Sequence, residues 1–314
     1  MTGASPSKLP LIILAGSDRK PAVLPEGATV HPLVGAKGYD IRIGGRHLVD
    51  LLIERLEASG YFGPIFLAGP ASLYGERRGD VEVIDTDASL GENIRTSLET
   101  VVAHHPGQRI AIGTCDVIPE EDDLRTVMAE YASQPDLNFW FGFVCVPPER
   151  ARLGVSGWKP QYLIRAHPDE KPHNVLPGHL IIVDPESLRR DFLYRCFQLA
   201  YSTRNRPILQ RLPVMLFGVL GALLRFDLGR LRAFSLPTVT VGVAWHAVSL
   251  AFDLARGVIT TGQLERHFHA MFVRSEHKRR YPDRRGLLSL VDALSLAKDI
   301  DTEEEARERA LELA

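Results

Sequence analysis

The feature that most constrains the fold is a regular alternation of short apolar segments with longer amphipathic ones along residues 9–146. The short apolar segments predict β-strands within residues 10–16, 63–70, 79–86, 109–116 and 138–146. The segments between them repeat apolar residues with a helical period and predict helices within 45–60, 91–107 and 119–133. Strands that alternate with helices of this length form a mostly parallel sheet, so we expect an α/β fold with helices on both faces.

The pattern changes in the C-terminal half of the chain. Strands are predicted within residues 161–167 and 178–185, and residues 186–270 are mainly helical in pattern. An apolar segment, residues 287–302, then leads into a charged helix. Thr302 and Glu305 have the spacing of a capping box at the start of that helix. We therefore expect a helical insertion in the C-terminal half.

The longest apolar run, residues 212–224, lies between Arg211 and Arg225. It is too short to span a bilayer, which needs about 20 residues. Because it is apolar all round, it predicts a core helix that buries Leu216, Phe217 and Leu220. A helix lying in a membrane interface is the alternative, and peripheral membrane contact is not favoured.

Charge and cysteine content narrow the class of protein. The formal net charge of -2 lacks the basic excess of a typical nucleic-acid binder, so no nucleic-acid partner is expected. The three cysteines, Cys115, Cys145 and Cys196, are far apart and have no metal-binding spacing. No signal peptide is recognised, and a reduced, cytoplasmic setting is expected. Oligomeric state stays open.

The five apolar residues of the first predicted strand are followed by two small residues, Gly16 and Ser17, and then by the basic Arg19. In open parallel sheets, ligands bind beyond the carboxyl ends of the strands. This stretch therefore predicts either a phosphate-binding loop or a solvated turn.

Three aspartates have positions that suit a metal ion. Asp116 ends the strand predicted within 109–116, and Asp299 and Asp301 precede the terminal helix. Asp299 and Asp301 share one face of an extended segment, because side chains alternate with period two. Carboxylates are the ligands that Mg²⁺ prefers, although each aspartate alone is also typical of a turn or a helix cap.

Four segments in this order resemble the MobA-like nucleotidyltransferases of the GT-A-type NTP transferase superfamily. They are LIILAGSDRK (11–20), VGAKGYDIRIGGRHLVDLLIERLEASG (34–60), IGTCDVIPEEDDL (112–124) and KDIDTEEEA (298–306). The resemblance implies a GT-A-type nucleotidyltransferase fold, a Rossmann-like and mostly parallel sheet. It implies a nucleotide-binding core in 1–185, a helical acceptor region in 186–285 and a segment returning to the core in 286–314.

The resemblance also implies roles for residues near the nucleotide phosphates. Backbone N–H groups of Ala15, Gly16 and Ser17 would hold the triphosphate, since a concave set of amides attracts anions. Arg19 would contact the β- and γ-phosphates. Lys37 would stabilise charge at the α-phosphate during transfer.

The implied reaction moves a nucleoside monophosphate from a nucleoside triphosphate to a phosphorylated small-molecule acceptor. Asp116, with Asp299 or Asp301, would hold Mg²⁺, and pyrophosphate would leave as the acceptor phosphate attacks the α-phosphorus. An ionised phosphate needs no general base. His31, His167, His173 and His179 are therefore expected to have no chemical role. His179 follows Gly178 where many members of the family have Asn.

The segment 87–98 falls where the family recognises the base. Gly91 would allow close approach of a ring, and Asn93 and Arg95 would hydrogen-bond the base or ribose. The alternative from the residues alone is a helix start, with Ser89 as N-cap and Glu92 as its capping-box partner.

Two other functions remain open at this point. A GT-A-type glycosyltransferase would use a nucleotide-sugar and usually an Asp-x-Asp pair, whereas residues 114–116 hold a single acid. A non-catalytic scaffold of the same fold would use the helical region for a partner. Neither the acceptor nor the preferred base is indicated by the sequence.

Overall fold

The structure is a computed structural model that describes residues 8–19, 31–75, 81–134, 136–148, 162–203 and 238–313, with residues 214, 217, 218, 220 and 221. Its strands are β1 Leu9–Leu14, β2 Arg42–Ile43, β3 Arg46–His47, β4 Phe62–Gly69, β5 Val81–Asp85, β6 Ile110–Thr114, β7 Leu137–Cys145, β8 Tyr162–Ile164, β9 His173–Val183 and β10 Arg285–Val291. Its helices are α1 Lys37–Asp40, α2 Leu48–Ser59, α3 Ala71–Tyr74, α4 Leu90–His104, α5 Glu121–Ala132, α6 Arg190–Ser202, α7 Thr238–Arg256, α8 Thr261–Phe272, α9 Ser275–Arg280 and α10 Glu303–Glu312, with a 3-10 helix at Leu294–Ala297.

Eight of these strands form one sheet, in the order β10-β7-β9-β6-β1-β4-β5, with β8 paired to β9. Strand β1 lies inside the sheet and pairs in parallel with β4 and β6. Strand β9 runs antiparallel to β6, β7 and β8. The chain moves outward from β1 to β4 and β5, then returns to β6 on the other side of β1. The order therefore reverses between β1 and β6, where open α/β sheets bind ligands.

The predicted α/β fold class is confirmed, because the strands and helices predicted up to residue 146 are present. The predicted strands correspond to β1, β4, β5, β6 and β7, and the predicted helices to α2, α4 and α5. The two later strands are also present as β8 and β9. Strand β9 begins earlier than predicted, at His173, and runs against the direction of its neighbours.

The core lies on both faces of the sheet, and β1 shows how the sequence divides between them. Leu11 and Ile13 face the layer that contains α2 and α5, whereas Ile12 faces the layer that contains α4 and α6. This alternation follows from the two-residue period of a strand. Because both faces of β1 are covered by helices, its sequence is a continuous apolar run.

Strand β10 was not predicted as a strand, and it joins the edge of the sheet beside β7 in parallel. The backbone of Gly286 lies against the ring of Phe139, where any Cβ atom would overlap that ring. Beyond β10 the chain turns back toward the sheet centre, and the Ile300 N–H donates a hydrogen bond of 3.0 Å to the Asp116 carbonyl. This return brings the last acidic segment to the carboxyl end of β6.

Helices α6 to α9 lie between β9 and β10, but most of residues 204–237 lie outside the described part of the chain. The prediction that Phe217 is buried is wrong, because its side chain is 71% exposed. Leu220 is half-buried, and Leu216 lies outside the described residues.

No helix among the described residues is long and apolar enough to cross a membrane. From their place on either side of the apolar run 212–224, we expect five arginines to face an acceptor cavity near Asp116. These residues, Arg206, Arg211, Arg225, Arg230 and Arg232, also lie outside the described part of the chain.

Candidate active site

Three carboxylates meet at the carboxyl ends of β1 and β6. Asp116 follows β6 by two residues, and Asp299 and Asp301 come from the segment that returns after β10. One ligand oxygen from each of the three lies within 4.8 Å of the others. Asp299 is 4% exposed and Asp301 is 1% exposed. The three residues predicted to hold a metal are therefore brought together.

A buried lysine lies among these carboxylates. The Lys37 ammonium is 3.5 Å from Asp116 Oδ2 and forms an ion pair with Asp301 Oδ1. Burial alone would lower the pKa of Lys37, but the neighbouring carboxylates outweigh burial and raise it above its ordinary value. Lys37 is therefore a permanent cation in this arrangement.

Local packing explains how Lys37 reaches the site. The next residue, Gly38, lies where a Cβ atom would be 3.1 Å from Cys115 Cβ and 3.2 Å from the Tyr74 hydroxyl. Glycine thus allows α1 to approach the residue that precedes Asp116. The Leu33 N–H also donates to the Asp301 carbonyl at 2.8 Å, which joins the start of this segment to the C-terminal one.

The start of α10 holds Asp301 in place. Thr302 is the N-cap of this helix and forms the predicted capping box with Glu305. The Glu305 carboxylate also accepts a hydrogen bond of 2.7 Å from the Asp301 N–H. The geometry of the helix cap therefore fixes the backbone of one of the three acids.

The charge of the site fits a divalent cation. Three carboxylates and one ammonium leave an excess of negative charge, and a buried excess is costly unless a cation offsets it. Asp116 Oδ1 is buried and accepts no hydrogen bond from the described residues. Burial alone would raise the pKa of the Asp116 carboxyl, but the Lys37 charge outweighs it and holds that pKa below its ordinary value. An ionised carboxylate with an unused oxygen is a suitable metal ligand.

The loop after β1 differs from the prediction of an open phosphate cradle. The Ala15 N–H donates to the Ala68 carbonyl at 2.8 Å, and the Ser17 N–H donates to Asp87 Oδ1 at 2.7 Å. The Ser17 hydroxyl donates to the other Asp87 oxygen at 3.1 Å. Two of the three amides predicted to bind phosphate are therefore bonded within the protein, and an anion at Ser17 would have to displace Asp87. No sequence pattern singles out Asp87 beyond its position in the loop after β5.

Arg19 also lies at Asp87. Its guanidinium donates to the Asp87 carbonyl at 2.7 Å and is 3.6 Å from Oδ2, with a side chain 71% exposed. An exposed guanidinium that is bonded mainly to backbone is free to move at small cost. A contact from Arg19 to a triphosphate stays a prediction.

Asn93, predicted to hydrogen-bond the base or ribose, has contacts within the protein. Asn93 Oδ1 accepts hydrogen bonds of 2.8 Å from the Thr86 hydroxyl and of 2.8 Å from the Ala88 N–H. A Cβ atom on Gly16 would lie 2.5 Å from Asn93 Nδ2, so Gly16 is needed for this close approach. Asn93 therefore orders the loop after β5 and supports the loop after β1.

Gly91 allows close approach of helix α6, whereas the resemblance implies close approach of a nucleotide base. A Cβ atom there would lie 2.7 Å from the Tyr194 carbonyl in α6, and the Gly91 N–H donates to Gln198 Oε1 at 3.1 Å. Helix α6 thus fills the space that the prediction reserved for a ring. Ser89 is the N-cap of α4 as predicted, but its side chain makes no capping hydrogen bond, so the predicted capping box there is wrong.

Arg95 also faces α6, because its guanidinium lies over the Tyr194 ring, 5.3 Å from the centroid. From the other end of α6, the Tyr201 hydroxyl donates to Asp18 Oδ1 at 2.9 Å. Helix α6 therefore lies along the edge of the first loop as well as along the start of α4. Its position could not be read from the local sequence.

His179, which was expected to have no chemical role, lies beside the acidic cluster. Its Nδ1 is 2.9 Å from the Thr114 hydroxyl oxygen, and its Nε2 is 3.9 Å from Asp299 Oδ1. The only sequence signal was the replacement of a common Asn by His after Gly178.

Comparisons with known proteins identify the fold. No model of a known protein family matches the chain, and no curated protein matches it. A solved structure described as a hypothetical transferase from Thermus thermophilus is similar over 95% of this chain and 99% of its own, with a TM-score of 0.52 and 19% identity. This likeness shows that the two chains share their fold.

Two further solved structures have lower TM-scores. CMP:2-keto-3-deoxy-manno-octonic acid synthetase complexed with CTP is 11% identical over 98% of each chain, with a TM-score of 0.47. HddC from Yersinia pseudotuberculosis, complexed with GMP-PN, is 14% identical over 59% of this chain and 79% of its own, with a TM-score of 0.40.

Proposed function

We propose that this protein is a nucleotidyltransferase that moves a nucleoside monophosphate from a nucleoside triphosphate to a phosphorylated small-molecule acceptor. The observation that carries the proposal is the set of three aspartates around a buried lysine at the point where the strand order reverses. The fold shared with a hypothetical transferase supports it. The resemblance of four segments to MobA-like enzymes supplies the reaction type.

Asp116, Asp299 and Asp301 would hold Mg²⁺. Bound there, the ion would offset the negative charge of the triphosphate that makes attack by a second anion unfavourable. The charge excess of the carboxylates and the unused Asp116 oxygen favour such an ion.

The reaction balances without a proton acceptor. An oxygen of the acceptor phosphate forms a bond to the α-phosphorus, the bond from that phosphorus to the bridging α–β oxygen breaks, and pyrophosphate leaves with the electron pair. Lys37, held as a cation, would stabilise the charge that develops on the α-phosphate oxygens. To reach that phosphate, its ammonium would exchange the Asp301 carboxylate for phosphate oxygens.

The first test is nucleotide binding, which needs no knowledge of the acceptor. Melting temperatures are measured with each of the four nucleoside triphosphates and Mg²⁺, for the wild type and for Asp116→Asn. The wild type should be stabilised by at least one nucleotide, because a ligand that binds the folded state raises the melting temperature. Asp116→Asn should lose most of this gain, whereas Asp122→Asn, at a side chain 87% exposed, should keep it.

The second test identifies the reaction. A panel of sugar phosphates is incubated with the preferred nucleotide, and pyrophosphate release is measured. In a parallel incubation, a nucleotide-sugar replaces the nucleoside triphosphate. Release of a nucleoside diphosphate there, without pyrophosphate release in the first incubation, would replace the proposal with glycosyl transfer. Absence of nucleotide binding in the first test would favour a scaffold of this fold.

A further inference from the structure

Helix α7 has an apolar face that the other described parts of the chain leave largely exposed. Four side chains form it: Val241 is 72% exposed, Trp245 70%, Val248 47% and Phe252 58%. These residues are three or four positions apart, so they lie along one face of the helix. They form an apolar stripe about three turns long.

The opposite face of α7 packs on the protein. Val243 is buried and lies in one apolar cluster with Met271 and Phe268 of α8. Ala247 and Leu250 belong to the same cluster and follow Val243 by four and seven residues. A helix that is apolar on both faces is typical of one that is covered on both. The exposed stripe is therefore a surface for a partner.

The stripe is large enough to bind a partner. Aromatic side chains have about 150–250 Å² of surface each, so Trp245 and Phe252 alone expose roughly 200–300 Å². With the two valines, the patch reaches the few hundred Å² that mark a protein or membrane contact. Phe217, in the apolar run 212–224, is a further exposed aromatic side chain.

The charge of the surrounding sequence favours a membrane over a protein as this partner. Residues 204–256 hold seven arginines, two aspartates and no lysine or glutamate, which gives a formal charge of +5. The whole chain carries -2. Between Arg232 and Asp253, twenty residues in succession include no Asp, Glu, Lys or Arg. An apolar sequence with an excess of arginine is typical of segments that lie on a bilayer with anionic lipids.

The described charges of α7 fit the same partner. The Arg256 guanidinium lies over the Phe252 ring, 5.0 Å from the centroid, so the stripe ends in a cation. The one aspartate of this helix, Asp253, lies 3.9 Å from His267 Nε2 in α8. The stripe therefore places a cation, and a tryptophan of the kind enriched at membrane interfaces, on its exposed side.

We propose that the exposed stripe of α7 docks on a bilayer surface that contains anionic lipids. Its apolar side chains enter the boundary between headgroups and acyl chains, and the arginine excess of 204–256 attracts the lipid phosphates. This inference replaces the acceptor cavity expected for the flanking arginines, because Phe217, expected in the core there, is exposed. It does not depend on the proposed nucleotidyl transfer.

The test measures binding of the full chain to vesicles by cosedimentation and by tryptophan fluorescence. The vesicles contain phosphatidylcholine alone, or equal parts of phosphatidylcholine and phosphatidylglycerol. The wild type should bind the anionic vesicles several-fold more tightly than the neutral ones, and added salt should reduce this difference. Vesicles with brominated acyl chains should quench the fluorescence of Trp245.

Three variants locate the contact. The double variant Trp245→Gln with Phe252→Gln replaces both rings by a polar side chain that suits a helix. It should keep its circular dichroism spectrum and bind the anionic vesicles roughly ten-fold or more weakly. Trp245→Phe keeps an apolar ring, so it should bind like the wild type but lose most of the quenching. Leu311→Gln is the matched control, because it removes an exposed leucine from α10 and should keep both signals.

Equal binding of the wild type and the double variant to anionic vesicles would overturn the proposal, as would no binding by either. Equal binding of the wild type to both kinds of vesicle would overturn the requirement for anionic lipid. A dimer that forms without lipid in sedimentation velocity, and that the double variant loses, would assign the stripe to a second copy if vesicles are not bound. Nucleotide binding is measured separately, so each of these outcomes leaves the proposed function standing.

Discussion

Replacement of Lys37 by Met removes the positive charge from the acidic cluster and keeps most of the side-chain volume. The lysine side chain is 9% exposed and that of its partner Asp301 is 1% exposed, so the lost ion pair is a buried one. Breaking a buried pair costs about 3–5 kcal/mol, and we expect the lower end because a carboxylate can take up a proton instead. For 314 residues, about 3 kcal/mol corresponds to a fall in melting temperature of roughly 5 °C.

The same variant should respond more strongly to a divalent ion. In the wild type, Mg²⁺ has to compete with the ammonium for Asp116 and Asp301, whereas in Lys37→Met this competition is removed. Melting followed by circular dichroism, in EDTA and in millimolar Mg²⁺, should therefore show a larger gain for the variant than for the wild type.

A matched control separates this effect from general loss of an ion pair. Arg46 pairs with Glu54 at 2.6 Å, with side chains 45% and 38% exposed. Such a surface pair contributes about 0–1 kcal/mol, so Arg46→Met should change the melting temperature little and leave the Mg²⁺ response unchanged. The reasoning is refuted if Lys37→Met melts in EDTA at the same temperature as the wild type. It is also refuted if Mg²⁺ raises the melting temperature of both proteins equally.

Three further changes test features of the fold and the site. Asp87→Asn should bind inorganic triphosphate more tightly in a calorimetric titration, because a charged carboxylate no longer competes for the amides after β1; weaker binding would contradict this. Gly286→Ala should lower the free energy of unfolding by about 1–3 kcal/mol in urea because of the overlap with Phe139, while Gly262→Ala, in open space, should not. Thr302→Ala should cost about 1 kcal/mol through the lost helix cap, and an unchanged urea midpoint would show that the cap is not stabilising.

The elements predicted correctly are those whose local pattern is strong. Strands β1 and β4 to β7 are short apolar runs, and helices α2, α4 and α5 among them have clear periodicity, so these elements could be assigned from sequence. Strand β10 could not, because a short apolar run such as 287–291 fits either a strand or a buried helix. What makes it a strand is its parallel pairing with β7, which lies far away in the sequence.

Part of the site could be predicted from the residues themselves, because Asp116 ends a predicted strand and Asp299 and Asp301 share one face of an extended segment. The resemblance to a known family grouped the three. Nothing local connects Asp116 with Asp299 and Asp301, and the structure brings them together through the returning segment. Ala15 and Gly91, to which the resemblance gives roles in nucleotide binding, make contacts within the protein that the sequence does not reveal. The Ala15 amide belongs to the sheet, and α6 covers Gly91.

The three aspartates of the candidate metal site come from distant parts of the chain, so the site can be complete only after the C-terminal segment has been synthesised. Asp116 is translated long before Asp299 and Asp301, yet the cluster needs all three. While the ribosome is still adding the helices before β10, a folded sheet can hold only one of the carboxylates. Contacts between residues this far apart in the chain form late in folding, because loop closure must precede them. A nascent chain that has not yet released residue 301 from the ribosome should therefore be structured but unable to bind a divalent ion at this site.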